Sequence, residues 1–214
     1  MENSKRGCLF VVSGFSGSGK GTVMEWFRSR PDRYALSVSC TSRKPRPGEV
    51  EGVSYYYISH DEFRKRAEEG FFLEHAIYAD HGYGTPKKFV EESLAAGKNV
   101  ILEIELQGAM QVKKIYPDTT LIFITPPSVE ELRRRLVGRG TETAEEIHKR
   151  LRRAVEEGRY MDQYDYIVVN DDLQTCIRQL DALMQAQRLR ASHSAELIGS
   201  IRGGLKQLER EENE

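Results

Sequence analysis

Residues 8–22 read Cys-Leu-Phe-Val-Val-Ser-Gly-Phe-Ser-Gly-Ser-Gly-Lys-Gly-Thr. An apolar run leads into a glycine-rich turn, and a helix-forming sequence follows at once. Glycines let successive backbone N–H groups turn towards an oxyanion, and the positive end of the following helix adds to the attraction. The stretch predicts a buried strand, a phosphate-binding loop and a helix over residues 20–28. The plainer interpretation is a glycine-rich turn with an incidental lysine.

The predicted loop suits the phosphates of ATP. Lys20 places its charge where the β- and γ-phosphates would lie. In the usual pattern a Ser or Thr directly after this lysine ligates Mg²⁺, whereas Gly21 takes that place here and Thr22 comes next. We therefore expect Mg²⁺ to be held mainly by phosphates and water. The predicted ATP-binding residues are Gly14, Phe15, Ser16, Gly17, Ser18, Gly19, Lys20, Gly21 and Thr22.

Further apolar runs alternate with helical patterns along the chain, which predicts a parallel sheet joined by crossover helices. Each run is continuous rather than alternating, as in strands buried on both faces. The predicted strands are 8–13, 99–105, 119–125 and 166–169, and the predicted helices are 20–28, 107–115, 128–137 and 172–187. The fold class is therefore α/β, with a P-loop NTPase-type core and helices on both faces of its sheet.

Two stretches interrupt this alternation. Residues 38–85 are rich in Pro, Gly and Tyr, and they predict a small β-rich insert. Its one short helix is predicted to begin with a capping box at Ser59 and Glu62 and to end at Gly70. Residues 139–160, which directly follow Gly138, predict a helical lid. The core is then made of residues 1–37, 86–138 and 161–189.

The tail, residues 190–214, carries apolar residues at helical spacing but also three glycines, each of which weakens a helix by about 1 kcal/mol. It predicts a frayed, charged terminus, and an amphipathic helix that faces a partner is the alternative.

Composition limits the function classes. The 214 residues carry 32 basic and 33 acidic side chains, a net charge of −1, which argues against a general nucleic-acid binder. The longest apolar runs fall far below the roughly 18 residues of a membrane span. Three widely spaced cysteines predict reduced thiols and a cytoplasmic protein. A monomer and a homo-oligomer are both compatible with the sequence.

The insert offers a second anion site. Arg43 and Arg46 lie three residues apart in a loop stiffened by proline. Planar guanidinium groups bind phosphate through two parallel hydrogen bonds, and Tyr55 and Tyr83 add phenolic donors. A solvated basic turn is the alternative for this loop.

These motifs together resemble a known family. The segments are the phosphate loop, Ser39 to Glu49 with its two arginines, Gly52-Val53-Ser54-Tyr55, Phe72-Leu73-Glu74, Tyr83-Gly84-Thr85, Glu103-Ile104-Glu105-Leu106-Gln107-Gly108 and Gly138-Arg139-Gly140-Thr141-Glu142. Their order and spacing over residues 7–187 resemble those of bacterial-type, single-domain guanylate kinases. The resemblance implies Mg²⁺-dependent transfer of a phosphoryl group from ATP to GMP, with a GMP-binding insert and a lid.

The resemblance also implies which residues hold GMP. Its phosphate would be bound by Ser39, Arg43, Arg46, Tyr55 and Tyr83, and its base by Glu74, Thr85 and Glu105, the last near the 2-amino edge. Guanine presents N1–H and N2–H₂ donors side by side, which suit one carboxylate, whereas adenine has an acceptor at N1. From the residues alone, Glu74 also fits a surface strand, and Thr85 before Pro86 fits a helix N-cap.

Lid arginines complete the implied site. Arg135, Arg139 and Arg150 would close over the phosphates, and they join Lys20 and Arg43 as the predicted catalytic residues. Arg135 and Arg150 also fit ordinary i,i+4 pairs with glutamates on solvated helices. The solvated surface is also the predicted location of Arg133, Arg134, Arg152 and Arg153.

Three polar residues in or directly after predicted strands remain. Asn170 is implied to lie near the adenine of ATP, and an N-cap within residues 170–172 is the plain interpretation. Glu103 and Glu105 alternate along an apolar strand, and two carboxylates on one buried face are costly unless they meet cations or donors. This argument favours a site, with Glu103 as a candidate ligand of Mg²⁺.

The predicted chemistry is direct in-line transfer. The acceptor is a phosphate oxygen whose second pKa is about 6, so that no general base is needed. The competing hypotheses are a kinase for another nucleoside monophosphate, such as AMP, and a non-catalytic guanylate-kinase-like scaffold that binds peptides.

Overall fold

The computed structural model of the protein describes residues 6–78, 80–138 and 144–212. The strands are β1 (Leu9–Gly14), β2 (Tyr34–Leu36), β3 (Cys40–Thr41), β4 (Tyr56–Tyr57), β5 (Phe72–Tyr78), β6 (His81–Pro86), β7 (Asn99–Glu103), β8 (Thr120–Thr125) and β9 (Tyr166–Val169). The helices are α1 (Lys20–Arg28), α2 (His60–Glu68), α3 (Lys87–Ala95), α4 (Leu106–Ile115), α5 (Val129–Val137), α6 (Ala144–Gly158), α7 (Leu173–Gln187) and α8 (Ala195–Glu211).

A five-stranded parallel sheet forms the core, in the order β2-β7-β1-β8-β9. Alternate residues of β1 pack on opposite faces. Phe10 and Val12 join a cluster with α1 and α7, whereas Leu9 and Val11 join a cluster with α3, α4 and α5. The predicted α/β class with helices on both faces is confirmed, and burial on both faces explains why the strand sequences are continuously apolar.

A second, four-stranded sheet has the order β4-β3-β6-β5, and its strands come from the part of the chain predicted to be a β-rich insert. Helix α2 covers it, and the ring of Phe63 stacks on that of Phe72 with centroids 4.9 Å apart. The predicted cap is confirmed, because Ser59 Oγ accepts a hydrogen bond from Glu62 N at 3.1 Å. Gly70 follows the helix with φ of 70°.

Some elements differ from the prediction. Strand β2 was not predicted, since it has only three residues and shows no periodic signal. Helix α3 was anticipated only at its start, by the alternative that Thr85 before Pro86 is an N-cap. The predicted strand over 99–105 ends at Glu103, and Glu105 is instead the N-cap residue of α4.

The predicted frayed terminus is wrong, because residues 195–211 form α8. Strong helix formers over residues 205–210 offset the glycines earlier in this segment. The apolar residues Leu197, Ile201, Leu205 and Leu208 of α8 are exposed. Within the described ranges, no helix combines the length and the apolar character that crossing a membrane requires.

Candidate active site

The phosphate loop joins β1 to α1, and its glycines fix its shape. Gly14, Gly17 and Gly19 have φ of 150°, 87° and 86°, a backbone region that L-residues rarely adopt. A Cβ added at Gly19 would come within 2.4 Å of Asn170 Nδ2, and one at Gly14 within 2.1 Å of Ile124 O. The loop therefore needs glycine at these two positions for both conformation and space.

Lys20 is the first residue of α1. Its Nζ donates a hydrogen bond to Gly14 O at 2.6 Å, so the ammonium group is folded back over the loop. Burial lowers the pKa of Lys20, and nearby carboxylates, Glu103 first among them, act in the opposite direction. The described hydrogen bonds of this desolvated ammonium go to carbonyl oxygens, and phosphate oxygens are stronger acceptors because they carry negative charge.

Asn170 follows β9 and contacts the phosphate loop. Its Nδ2 donates to Ser18 O at 2.7 Å, in a buried position. The N-cap in this segment belongs to Asp172, whose carboxylate accepts from Thr175 N at 2.8 Å. The structure thus places Asn170 at the phosphate loop and gives the capping role to its neighbour. Whether it also contacts adenine stays a prediction.

In the insert, Arg43 forms an ion pair with Glu49. The Arg43 guanidinium donates to both carboxylate oxygens of Glu49, at 2.8 and 2.9 Å, and to Tyr83 Oη at 3.2 Å. The hydrogen bonds from Arg43 lower the pKa of Glu49 to about 2. The sequence motif that ends at Glu49 predicts no role for this residue. The signal that would have found it is a carboxylate six residues after an arginine across a proline-rich turn.

The other predicted phosphate ligands surround this pair to different extents. The Tyr55 ring lies 5.4 Å from the Arg43 guanidinium carbon and 5.9 Å from the Tyr83 ring, and burial raises its pKa to about 12. Ser39 is half-buried next to β3, whereas the Arg46 side chain is exposed. The structure therefore brings Arg43, Tyr55 and Tyr83 together and leaves Arg46 at the rim.

Glu74 and Thr85 form a buried pair. Their exposed fractions are 5% and 0%, and Thr85 Oγ1 donates to Glu74 Oε1 at 2.6 Å. Burial raises the pKa of Glu74, while the hydrogen bonds from Thr85 act against this. Gly108 of α4 makes room, since a Cβ there would lie 2.4 Å from Glu74 Oε2. A buried carboxylate without a cation in its described hydrogen bonds suits a neutral ligand with adjacent N–H donors.

Two alternatives from the sequence are thereby wrong. Glu74 is not a surface strand residue, and Thr85 is not an N-cap, because Thr85 belongs to β6 and Pro86 is the N-cap residue of α3.

Glu103 and Glu105 require a correction. Both were argued to share a buried face of one strand, but both side chains are exposed. Strand β7 ends at Glu103, so the two carboxylates lie where the chain leaves the core at the carboxyl end of a central strand. Ligands of open parallel sheets bind at this edge. The position favours a site, although the burial argument that led to it fails.

The three predicted lid arginines differ in where the structure places them. Arg135 donates to Glu131 Oε1 at 2.6 Å, which is the surface pair expected from the i,i+4 spacing. Arg150 of α6 donates to Ser16 Oγ of the phosphate loop at 2.8 Å. Arg139 lies outside the described residues. Of the two lid arginines that the structure describes, Arg150 is the one it brings to the loop.

Arg153 was assigned to the solvated surface, and this assignment is wrong. Its side chain is only 22% exposed and forms ion pairs with Glu105 and Glu157. Arg153 could not be distinguished from Arg152 by sequence, because the distinction depends on which face of α6 meets the core.

A glycine-rich loop that joins a strand to a helix at the carboxyl edge of a parallel sheet is the arrangement found in P-loop phosphotransferases, and the insert adds a separate group of arginine and tyrosine side chains. The family model described as guanylate kinase matches residues 6–187. Guanylate kinase from Caldanaerobacter subterraneus subsp. tengcongensis is 45% identical over 94% of this chain and 98% of its own. The enzyme from Clostridioides difficile is 46% identical over 91% and 95%.

A solved structure agrees with these relatives. The crystal structure of guanylate kinase from Anaplasma phagocytophilum is 31% identical, has a TM-score of 0.73, and aligns with 87% of this chain and 89% of its own. The chain belongs to the guanylate kinase family. The family resemblance inferred from the sequence motifs is thereby confirmed.

Proposed function

We propose that the protein transfers the γ-phosphoryl group of ATP to GMP, forming ADP and GDP, by direct in-line transfer between two nucleotides that face each other across the cleft. The observation that carries this proposal is the buried Glu74–Thr85 pair, because it selects guanine from the side of the insert. Family membership supports the reaction class.

On the donor side, the backbone N–H groups of residues 14–22 hold the ATP phosphates. Lys20 leaves Gly14 O and takes the β- and γ-phosphate oxygens, which are stronger acceptors than a carbonyl group. Arg150, already hydrogen-bonded to Ser16 of this loop, lies where it can neutralise charge on the transferring group. Arg135 and Arg139 act with it when the lid closes, and Asn170 lies near adenine.

On the acceptor side, Arg43, Tyr55 and Tyr83 bind the GMP phosphate, with Ser39 and Arg46 at its edge. Glu74 accepts from guanine N1–H and N2–H₂, Thr85 contacts the base, and Glu105 lies at the 2-amino edge. The same carboxylate rejects AMP, since adenine N1 is an acceptor and would face an oxygen without a proton between them.

Catalysis rests on positioning and on charge. The attacking phosphate oxygen is largely deprotonated near neutral pH, because its second pKa is about 6, so that no residue needs to act as a general base. Preorganised N–H groups and guanidinium groups stabilise the negative charge that spreads over the transferring oxygens. Closure of residues 139–160 excludes water from the reacting atoms.

The site also fits Mg²⁺. The hard oxygen ligands that Mg²⁺ prefers are available from phosphates, water and the exposed carboxylate of Glu103, which is close enough to Lys20 to affect its pKa. Gly21 replaces the usual hydroxyl ligand, so phosphates and water supply most of the coordination. The ion would neutralise phosphate charge.

The wider setting follows from the same reasoning. Residues 1–37, 86–138 and 161–189 serve as the core, 38–85 as the GMP-binding insert, 139–160 as the lid and 190–214 as a tail. Three free, buried cysteines support a cytoplasmic location. ATP and GMP are the partners, without nucleic acid or membrane, and the protein is a monomer or a homo-oligomer.

A coupled assay of ADP release with GMP, dGMP and AMP as acceptors tests this function. We expect GMP to exceed AMP in kcat/KM by at least about 100-fold, because a buried acceptor is left facing an acceptor in the AMP complex. Equal turnover of AMP would favour a kinase for another nucleoside monophosphate. ADP release that does not depend on any acceptor would contradict phosphoryl transfer to GMP, and no ADP release at all would favour a scaffold.

A further inference from the structure

Arg153 connects three separate parts of the chain. It lies in α6, and its Nε donates to Glu157 Oε1, one turn further along the helix, at 2.7 Å. Its NH2 group pairs with Glu105 Oε2 at the carboxyl edge of the central sheet. Its guanidinium carbon lies 3.8 Å from the ring centroid of Tyr78, at the end of β5. One side chain thus joins the helix of the lid, the core and the insert.

The contact with Glu105 is the one that bears on the acceptor. Glu105 is the N-cap residue of α4, and its side chain is 59% exposed. A long carboxylate side chain in that position would sample several rotamers in water. Arg153 engages one carboxylate oxygen, and a carboxylate retains lone pairs for further donors. The pairing therefore fixes the direction of the group without using up its acceptor capacity.

Arg153 is itself held from two more sides. A guanidinium group stacked on an aromatic ring and bonded to two carboxylates has little freedom left. Glu157 Oε2 is buried and has no hydrogen-bond partner among the described residues, and Arg153 pairs with the other oxygen of this carboxylate. Such a held cation is a rigid support for the exposed Glu105.

We propose that Arg153 is a positioning residue for the acceptor base: it orients Glu105 towards the 2-amino edge of GMP. This inference rests on the proposed role of Glu105 in the GMP site. Arg153 does not touch the substrate, and its effect reaches the base through the carboxylate that it holds. The residue thereby couples the position of α6 to recognition of guanine.

The first test is the variant Arg153→Gln. We expect KM for GMP to rise about five- to tenfold, as for the loss of one partner of a hydrogen-bonded charge pair at a binding surface. KM for ATP and kcat should change by less than about twofold. Arg152→Gln is the matched control, because Arg152 is the adjacent residue of the same helix, is exposed, and loses the same charge. Thermal unfolding of both variants shows whether each is folded.

A double-mutant cycle with Glu105→Gln separates the possible explanations. We expect the double variant to raise KM for GMP no more than Glu105→Gln alone, because Arg153 acts through Glu105. Two independent, multiplying effects would overturn the inference, and so would a rise in KM for ATP equal to that for GMP. If Glu105→Gln alone leaves KM for GMP unchanged, the proposed role of Glu105 fails, and the inference fails with it. If Glu105→Gln raises KM but Arg153→Gln does not, only the role of Arg153 fails.

Discussion

The phosphate loop and the insert are both proposed to bind phosphate, but the loop would use backbone groups and the insert would use side chains. In the loop, backbone N–H groups form the cradle, and glycines at φ of 86° and 150° let the chain turn inward. In the insert, the donors are side chains: a guanidinium held by Glu49 and two phenols. The loop is continuous in sequence, whereas the proposed guanine pocket combines residues from β5, β6 and α4.

This difference determines how each region responds to change. A backbone cradle is shared among many N–H groups, and Lys20 is the side chain that we expect to complete it. A side-chain site depends on each partner in its hydrogen-bond network, and the loss of one partner leaves another group unpaired. We therefore expect the two regions to separate in kinetics, the loop through kcat and the insert through KM and specificity.

The largest expected effect is at Lys20. Lys20→Met removes the positive charge that would contact the β- and γ-phosphates. We expect kcat to fall at least about 10³-fold, which is the scale seen when one transition-state donor is lost. GMP affinity, measured by calorimetry, should change little, because the lysine belongs to the other region. The control is Lys88→Met, a change of the same kind on a side chain of α3 that is 83% exposed. Near-normal turnover of Lys20→Met would defeat the mechanism.

A smaller effect is expected at Glu74. Glu74→Gln replaces one carboxylate oxygen, which would accept a hydrogen bond from guanine, with an NH₂ donor. We expect kcat/KM for GMP to fall about 100-fold. The carboxamide matches the donor and acceptor of adenine, so the preference for GMP over AMP should narrow as well. Glu68→Gln, at the end of α2, is the control. An unchanged ratio of kcat/KM for the two acceptors would show that the base is read elsewhere.

The smallest effect is expected at Glu49. Glu49→Gln weakens the hold on Arg43, so KM for GMP should rise about fivefold and the free energy of unfolding should fall by about 1 kcal/mol near neutral pH. Because the pKa of Glu49 is lowered from 4.5 to about 2 in the folded protein, its contribution is present above pH 4.5 and is lost as the pH falls towards 2.

Denaturant unfolding of the wild type and of Glu49→Gln, from pH 7 down to about 3, checks this sign. The difference between the two proteins should narrow as the pH falls. A difference that widens in acid would mean that Glu49 is not the group responsible.

Much of the fold was predictable because it has a repeating signal. Continuous apolar runs gave four of the five core strands, and β2 was missed because three residues carry no periodicity. The tail was predicted to fray, since helix propensity alone does not show how glycines and strong helix formers balance over 17 residues. The family was confirmed, whereas the roles of the individual site residues stay predictions.

From the residues alone, the candidate site was predictable only where residues are adjacent in sequence, and the placement of Glu74 and Thr85 in one site came from the family resemblance. The phosphate loop and the proline-rich loop with Arg43 and Arg46 were predicted from short continuous motifs. The hydrogen bond from Asn170 to Ser18 spans 152 positions, and that from Thr85 to Glu74 joins two strands, so both depend on how the sheets are assembled. The burial argument that led to Glu103 and Glu105 was wrong, since neither side chain is buried, and their role in the site stays a prediction.

The sequence by itself determined the anion-binding loop, the α/β class and the family, because glycine spacing, hydrophobic runs and ordered motifs are local properties of the chain. The tertiary structure alone decided which charges distant in sequence are paired and which carboxylate is desolvated. Arg152 and Arg153 are identical side chains in adjacent positions, yet one is exposed and the other joins three parts of the chain. Burial and pairing depend on which helix face meets the core, and packing between distant segments sets that face.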